Sequence, residues 1–170
     1  MKIPFLFKEK TRTFSFEFFP PKDEISAVDF GINVGQLMKL DPSFVSVTYG
    51  AGGSNQERTF GLVDYLQNKI GLNTMAHYTC VGADREKIGK DMTVLRELQI
   101  ENLMLLRGDP PRGSDTFRPA ENGFSHASEL ISYVKQSFDF AVGAAAYPEK
   151  HPESPHNEHD IEKLKVKCDA

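Results

Sequence analysis

The apolar run Leu103-Met104-Leu105-Leu106 is followed by Arg107-Gly108-Asp109 and then by Pro110-Pro111. Such a run reads as a buried strand, and the two prolines stop its pairing. A cation, a glycine and a carboxylate are thereby delivered to one strand end, the place where side chains meet ligands instead of building core. An arginine there can grip paired anionic oxygens with its fork of N–H donors, and a glycine lets another group approach the backbone. The bland alternative is an Arg107–Asp109 ion pair across a turn. Glu17 is a second candidate, a carboxylate within Thr13-Phe14-Ser15-Phe16-Glu17-Phe18-Phe19, where a solvent-facing or paired residue is the ordinary expectation. Thr48 and His77 also fall on strand-like segments, where a hydrogen-bonded hydroxyl or imidazole is the ordinary role.

Other constellations carry less. Glu17 and Asp109 as a glycosidase pair would call for an aromatic sugar platform, and the chain has no Trp. His151, His156 and His159 lack the carboxylate or cysteine framework of a metal site, so no metal is expected. Gly50-Ala51-Gly52-Gly53 resembles a phosphate cradle but lacks the Gly-Lys-Ser/Thr ending of a P-loop, and reads as a turn into a helix. Cys80 and Cys168 show no metal or disulfide spacing and read as buried small apolar residues.

The elements that must position these residues follow from hydrophobic periodicity. Thr13 to Phe19 alternates, with Phe14, Phe16 and Phe18 on one face and Ser15 and Glu17 on the other. Further strands are expected at Phe44–Tyr49, Asn73–Val81, Asn102–Arg107 and Phe140–Ala146. Helical spacing fills the intervals. Ile25, Val28, Ile32, Leu37 and Leu40 mark one helix, despite Gly31 and Gly35, and Asp41-Pro42 ends it. Ser54 with Glu57 forms a capping-box pattern before Phe60, Val63, Leu66 and Ile70. Asp84 caps a helix carrying Ile88, Met92, Leu95 and Leu98. A Pro/Gly-rich loop over 110–123 leads to a helix near His126–Phe138, and a last helix begins near His159. A strand–helix period of about 30 residues implies parallel pairing through right-handed crossovers. No Gly-rich fingerprint follows the first strand, which disfavours a doubly wound sheet. The polar residues Glu17, Thr48, His77, Arg107, Asp109 and Tyr147 instead cluster at strand ends, which favours a (β/α)8 TIM barrel represented by about five βα units.

The chain of 170 residues, with 39% hydrophobic and 26% charged residues, has the composition of one soluble globular domain over 1–170. A net charge of −4 argues against nucleic acid as a partner. Residues 1–12 read as a small basic arm, without the pattern of a signal peptide, and no run is long enough to span a membrane. The cytoplasm is the expected setting.

Four segments carry a family resemblance: Ser15-Phe16-Glu17-Phe18-Phe19-Pro20-Pro21, Phe44-Val45-Ser46-Val47-Thr48-Tyr49-Gly50, Leu105-Leu106-Arg107-Gly108-Asp109, and Ala145-Ala146-Tyr147-Pro148-Glu149 with His151-Pro152-Glu153. In order and spacing they resemble methylenetetrahydrofolate reductases of the short, catalytic-domain-only form. The resemblance implies an FAD-holding TIM barrel. Its activity would be reduction of 5,10-methylenetetrahydrofolate to 5-methyltetrahydrofolate with NADH or NADPH, in one-carbon metabolism and methionine biosynthesis. It assigns Glu17 and Asp109 to catalysis and to the folate substrate. FAD contacts would come from Thr48, His77, Arg107, Gly108, Asp109, Ala127, Tyr147, His151, Asp160 and Lys167. Glu17 would be the general acid that opens the methylene bridge. Its Phe-rich strand is expected to raise its pKa by desolvation. Arg107 and Lys167 would meet pyrophosphate oxygens, and Gly108 would admit close approach. The family's next strand is a Gln-Phe-Phe-Phe-type segment absent from these 170 residues. The chain is therefore expected to be the N-terminal five-eighths of a barrel, and inactive or merely flavin-binding by itself; whether the full-length form is a homo-oligomer is left open by the sequence.

Overall fold

The structure, a computed structural model, describes residues 1–50, 56–110, 113 and 116–170. Ala51-Gly52-Gly53, the Ser54 of the expected capping box, and Pro111 lie outside them. The strands are β1 (Ser15–Phe18), β2 (Phe44–Val47), β3 (Thr74–Thr79), β4 (Asn102–Leu106) and β5 (Ala141–Gly143). The helices are α1 (Ile3–Glu9), α2 (Glu24–Leu37), α3 (Gln56–Asp64), α4 (Arg85–Glu97), α5 (Ala127–Ser137) and α6 (Asn157–Asp169). A π-helical turn, Tyr65–Ile70, continues α3, and Gly71 ends it at φ +83°. All strands are shorter than the sequence suggests.

The sheet runs β1-β2-β3-β4-β5, every pair parallel. A doubly wound sheet reverses its strand order at a switch point; this one advances in a single direction. Right-handed crossovers that all advance the same way put every crossover helix on one face. The sheet is therefore an open arc of a barrel, α/β in class, as the spacing of polar strand ends indicated.

Register assigns the two faces. Phe18, Val47, Ala76 and Leu103 lie in one row toward the helices, next to Val45, Tyr78 and Leu105. These residues join Val63, Leu66, Ile88, Met92, Leu95, Leu130 and Val134 in one core. Leu103, Leu105, Val45 and Val47 are fully buried, each worth about 1.5–3 kcal/mol relative to exposure. On the opposite face Glu17, Ser46, Met75, Asn102 and Ala141 share a row, with His77, Met104 and Gly143 in the next.

Two local expectations need correction. Residues 1–12 are not simply an arm, since Ile3–Glu9 forms α1, with a proline in its first turn. Its Ile3 and Leu6 pack on Met75, Phe44 and Met104 and close the N-terminal end of the inner face. The spacing of Ile3 and Leu6 after the basic Lys2 was the available signal, too short to stand out. In α2 the expected stripe is largely not the buried one. Ile25, Val28 and Ile32 are exposed, and the helix packs through Val34, Phe30 and Leu37. The sequence displays the α2 apolar residues on two faces, and only contact with β1 selects between them. Asp23 caps α2, accepting from Ser26 N at 2.8 Å while Ser26 Oγ accepts from Asp23 N at 3.0 Å. Asp84 caps α4 as expected, accepting from Lys87 N at 2.8 Å.

Candidate functional site

At the C-terminal ends of β3, β4 and β5 lies a cavity of about 690 Å³. The expected residues Arg107, Gly108, Asp109, Ala127, Tyr147, His151, Asp160 and Lys167 all line it. They arrive from four separate segments: the exit of β4, the first residue of α5, the loop after β5, and α6. Parallel strands place their C-terminal ends together, which is why segments 60 residues apart in sequence, from Arg107 to Lys167, converge.

The contacts within it are specific. Arg107 donates through Nη1 and Nη2 to the two carboxylate oxygens of Glu153, both at 2.7 Å, and through Nε to the Gly108 carbonyl at 3.3 Å. The guanidinium also lies 4.8 Å from the Phe117 ring centroid. Thus Arg107 pairs with Glu153, not with the neighbouring Asp109, which is exposed. The hydrogen bonds from Arg107 hold the Glu153 carboxyl below the usual carboxylate range, and Glu153 in turn raises Arg107. Asp160 accepts from His151 N at 2.7 Å, and His151 meets Tyr147 edge-on with ring centroids 4.6 Å apart. Lys167 donates to the Ala145 carbonyl at 2.8 Å, and burial lowers its pKa against the pull of Asp160.

Gly108 is required for a different reason than expected. It sits at φ +87°, and a Cβ there would meet Val81 Cγ1 at 2.8 Å and Thr79 Cβ at 3.0 Å. The close approach it permits is to the end of β3. Cys80, beneath it, donates to the Arg107 carbonyl at 3.4 Å, and burial pushes its thiol up to about 11, leaving it unreactive.

Glu17 and His77 lie elsewhere, in a second cavity of about 420 Å³ on the inner face, between α1 and the sheet. Ala144 lines this cavity and Ala145 the first, so consecutive residues of the loop after β5 contribute one to each. Ser46 Oγ donates to Glu17 Oε2 at 3.2 Å, and His77 Nε2 stands 3.3 Å from the same oxygen. That imidazole nitrogen is buried and not aligned for a hydrogen bond, so the contact is electrostatic at most. Burial lowers the His77 pKa, with Glu17 opposing, and keeps the ring neutral near pH 7. The apolar surroundings expected for Glu17 are absent, since its side chain is 52% exposed. Strand alternation turns Phe16 and Phe18 to the helix side and Glu17 to the open face. Thr48 lines neither cavity; its carbonyl accepts from Thr59 Oγ1 at 3.2 Å.

Glu153 and Ser46 were not singled out from sequence as site residues. Both lie inside the family-like segments, and Ser46 shares a strand face with Thr48, a signal that could have placed it beside Glu17. Among the described residues no group of three or more His, Cys, Asp or Glu could hold a metal, and no helix is long and apolar enough to cross a membrane.

The contents of the larger cavity fit a flavin dinucleotide in kind: a guanidinium and an ammonium, an aromatic ring at Tyr147, and carboxylates at its rim. Comparison with known proteins gives the family. The methylenetetrahydrofolate reductase family model matches residues 2–170. "Methylenetetrahydrofolate reductase (NADH) 1" of Arabidopsis thaliana is 36% identical over 180 residues, covering 99% of this chain and 30% of that protein. "5,10-Methylenetetrahydrofolate reductase" of Escherichia coli (strain K12) is 36% identical over 159 residues, covering 92% of this chain and 51% of that protein. The protein of the same name from Pectobacterium carotovorum is 36% identical over 158 residues, at 92% and 50% coverage. The chain thus spans about half the length of these bacterial relatives and under a third of the plant one. Because one family model accounts for residues 2–170, and plant and bacterial relatives align over 92% or more of the chain, this protein belongs to the methylenetetrahydrofolate reductase family.

Proposed function

We propose that this chain supplies the flavin-holding and proton-donating residues of a reductase that converts 5,10-methylenetetrahydrofolate to 5-methyltetrahydrofolate. The observation that carries the reading is the convergence of Arg107, Asp109, Tyr147, His151, Asp160 and Lys167 on one cavity. FAD bound there would accept hydride from a reduced nicotinamide and pass it to the folate. NADH is the favoured reductant, since the plant relatives carry it in their names. The reading brings with it one-carbon metabolism, methionine biosynthesis and a cytoplasmic setting.

The residues divide the work. Arg107 and Lys167 offer N–H donors to pyrophosphate oxygens, while Tyr147 and His151 form an aromatic wall. Asp109, exposed at the rim, is placed to accept hydrogen bonds from the folate or the flavin. Glu17 would act as the general acid toward the nitrogen that must leave the methylene bridge before carbon can accept hydride. Ser46 fixes one Glu17 oxygen, so the other is free to face substrate. His77, its pKa lowered by burial, stands beside that carboxyl as a neutral imidazole. A folate extending between the two cavities would reach both the flavin and Glu17.

Purified protein should be titrated with FAD, followed by flavin fluorescence, then assayed for NADH oxidation with menadione as acceptor. Absence of both flavin binding and menadione reduction rejects the reading. A second reading, flavin binding without turnover, is favoured by the open sheet, in which β1 and β5 each have one strand neighbour. FAD binding with no NADH oxidation selects it.

A further inference from the structure

The larger cavity has an unexpected charge balance for a site reading as an anion holder. Among its described lining residues, the cations Arg107, Lys163 and Lys167 face the carboxylates Asp109, Glu129, Glu153 and Asp160. Histidines aside, three cations stand against four anions, so the Lys, Arg, Asp and Glu side chains give no positive surplus for a pyrophosphate. Three of the four carboxylates have other roles or places. Glu129 accepts from Ser125 N at 2.7 Å and helps start α5, and Asp160 accepts from His151 N at 2.7 Å. Asp109 stands exposed at the rim. Glu153 is the one that closes the guanidinium fork of Arg107, taking one N–H from each terminal nitrogen.

The surroundings make this pair separable. The Glu153 side chain is 56% exposed, whereas Arg107 is 21% exposed and fixed by the Gly108 carbonyl and the Phe117 ring. The loop that carries Glu153 is held by bonds that do not involve its carboxylate: Glu153 N donates to His151 Nδ1 at 3.1 Å, Ser154 N to the His151 carbonyl at 2.9 Å, and Lys150 Nζ to the Ser154 carbonyl at 2.7 Å. Turning Glu153 into solvent therefore costs one ion pair and leaves the loop and Arg107 in place.

We propose that Glu153 is a built-in counter-ion that closes the Arg107 fork and must be displaced by the phosphate-bearing ligand. It rests on the reading of the larger cavity as the dinucleotide site, and deepens it. Displacement exchanges one bidentate carboxylate for one phosphate oxygen pair on the same fork. Glu153 thus tunes affinity downward, so that the dinucleotide is exchangeable, and it shields Arg107 from stray anions.

The test titrates inorganic pyrophosphate into wild type, Glu153→Gln and Arg107→Gln, followed by ³¹P NMR, with parallel FAD and riboflavin titrations by fluorescence. Gln keeps the shape and removes the charge. Glu153→Gln should bind pyrophosphate roughly fivefold more tightly than wild type. The gain should vanish in the Arg107→Gln/Glu153→Gln double variant, and riboflavin, which has no phosphate, should not discriminate. Equal or weaker pyrophosphate binding by Glu153→Gln, or none at all, overturns the proposal. A pyrophosphate gain with no FAD binding by either protein upholds the counter-ion and rejects the flavin site, so the two failures are distinguishable.

Discussion

At the N-terminal edge of the sheet, Asn102 is fully buried and its side chain is saturated. It accepts from Ile3 N at 2.7 Å and donates to the Met1 carbonyl at 3.0 Å and to Asn73 Oδ1 at 3.3 Å, beneath the apolar plug of Ile3, Leu6 and Met75. At the C-terminal edge, five residues further along the same strand's path, Arg107 sits in an open cavity among carboxylates. One end of β4 spends its polar groups on the protein's own backbone, and the other holds them at an open surface. The difference teaches where to look for function in such an arc. A buried, saturated amide is worth stability, whereas charges ringed by solvent and held in ion pairs are available to a ligand.

Substitutions should separate the two ends, beginning with the largest effect. In a turnover-competent form, Glu17→Gln should slow the folate half-reaction by roughly a hundredfold or more. Reduction of the flavin by nicotinamide should be nearly unchanged, as should urea stability. Equal loss in both half-reactions, read by stopped-flow absorbance, would remove Glu17 from the acid role. Asn102→Leu should do the reverse. It strands the Ile3 N–H and lowers unfolding free energy by about 2–3 kcal/mol, measurable in urea, with pyrophosphate affinity intact. Gly108→Ala is where the division blurs. Its added methyl is both strained and crowded, so a loss of about 2 kcal/mol should come with weaker flavin binding.

Smaller effects sharpen the contrast. His77 has its pKa lowered in the folded state, so the folded protein binds fewer protons than the unfolded chain below about pH 6.5. Its contribution is complete above that pH and is lost as pH falls toward the lowered value. The urea midpoint should therefore decline between pH 7.5 and 5.5, and His77→Gln should flatten that decline. The exposed pair Lys2–Asp139 marks the floor of the scale, and Asp139→Asn should leave the midpoint unchanged.

Much of the architecture was legible in advance. The alternation of Phe14, Phe16 and Phe18 against Ser15 and Glu17, the helical spacing after Asp84, and the repeat of strand and helix are local patterns, and each element forms where they predict. The polar strand ends favoured a barrel arc over a doubly wound sheet, and the unreversed strand order agrees. The apolar stripe of α2 and the plug formed by α1 were less legible. Ile25 and Val28 have the same composition whether they face a neighbour or solvent, and a seven-residue helix gains its stability from docking, not from its own sequence.

By itself the sequence determined which residues alternate, which segments coil, roughly where each strand lies, and the family to which these motifs belong. Those properties depend on neighbours within a few positions, where side-chain period and backbone preference act. The tertiary structure alone decided that Arg107 grips Glu153 instead of Asp109, that Glu17 shares its oxygen with Ser46 near a neutral His77, and that Gly108 is demanded by Val81 and Thr79. Coulomb attraction, desolvation and steric contact depend on distance in space. Sequence separation, such as that between Arg107 and Glu153, carries no information about that distance until the strands have paired.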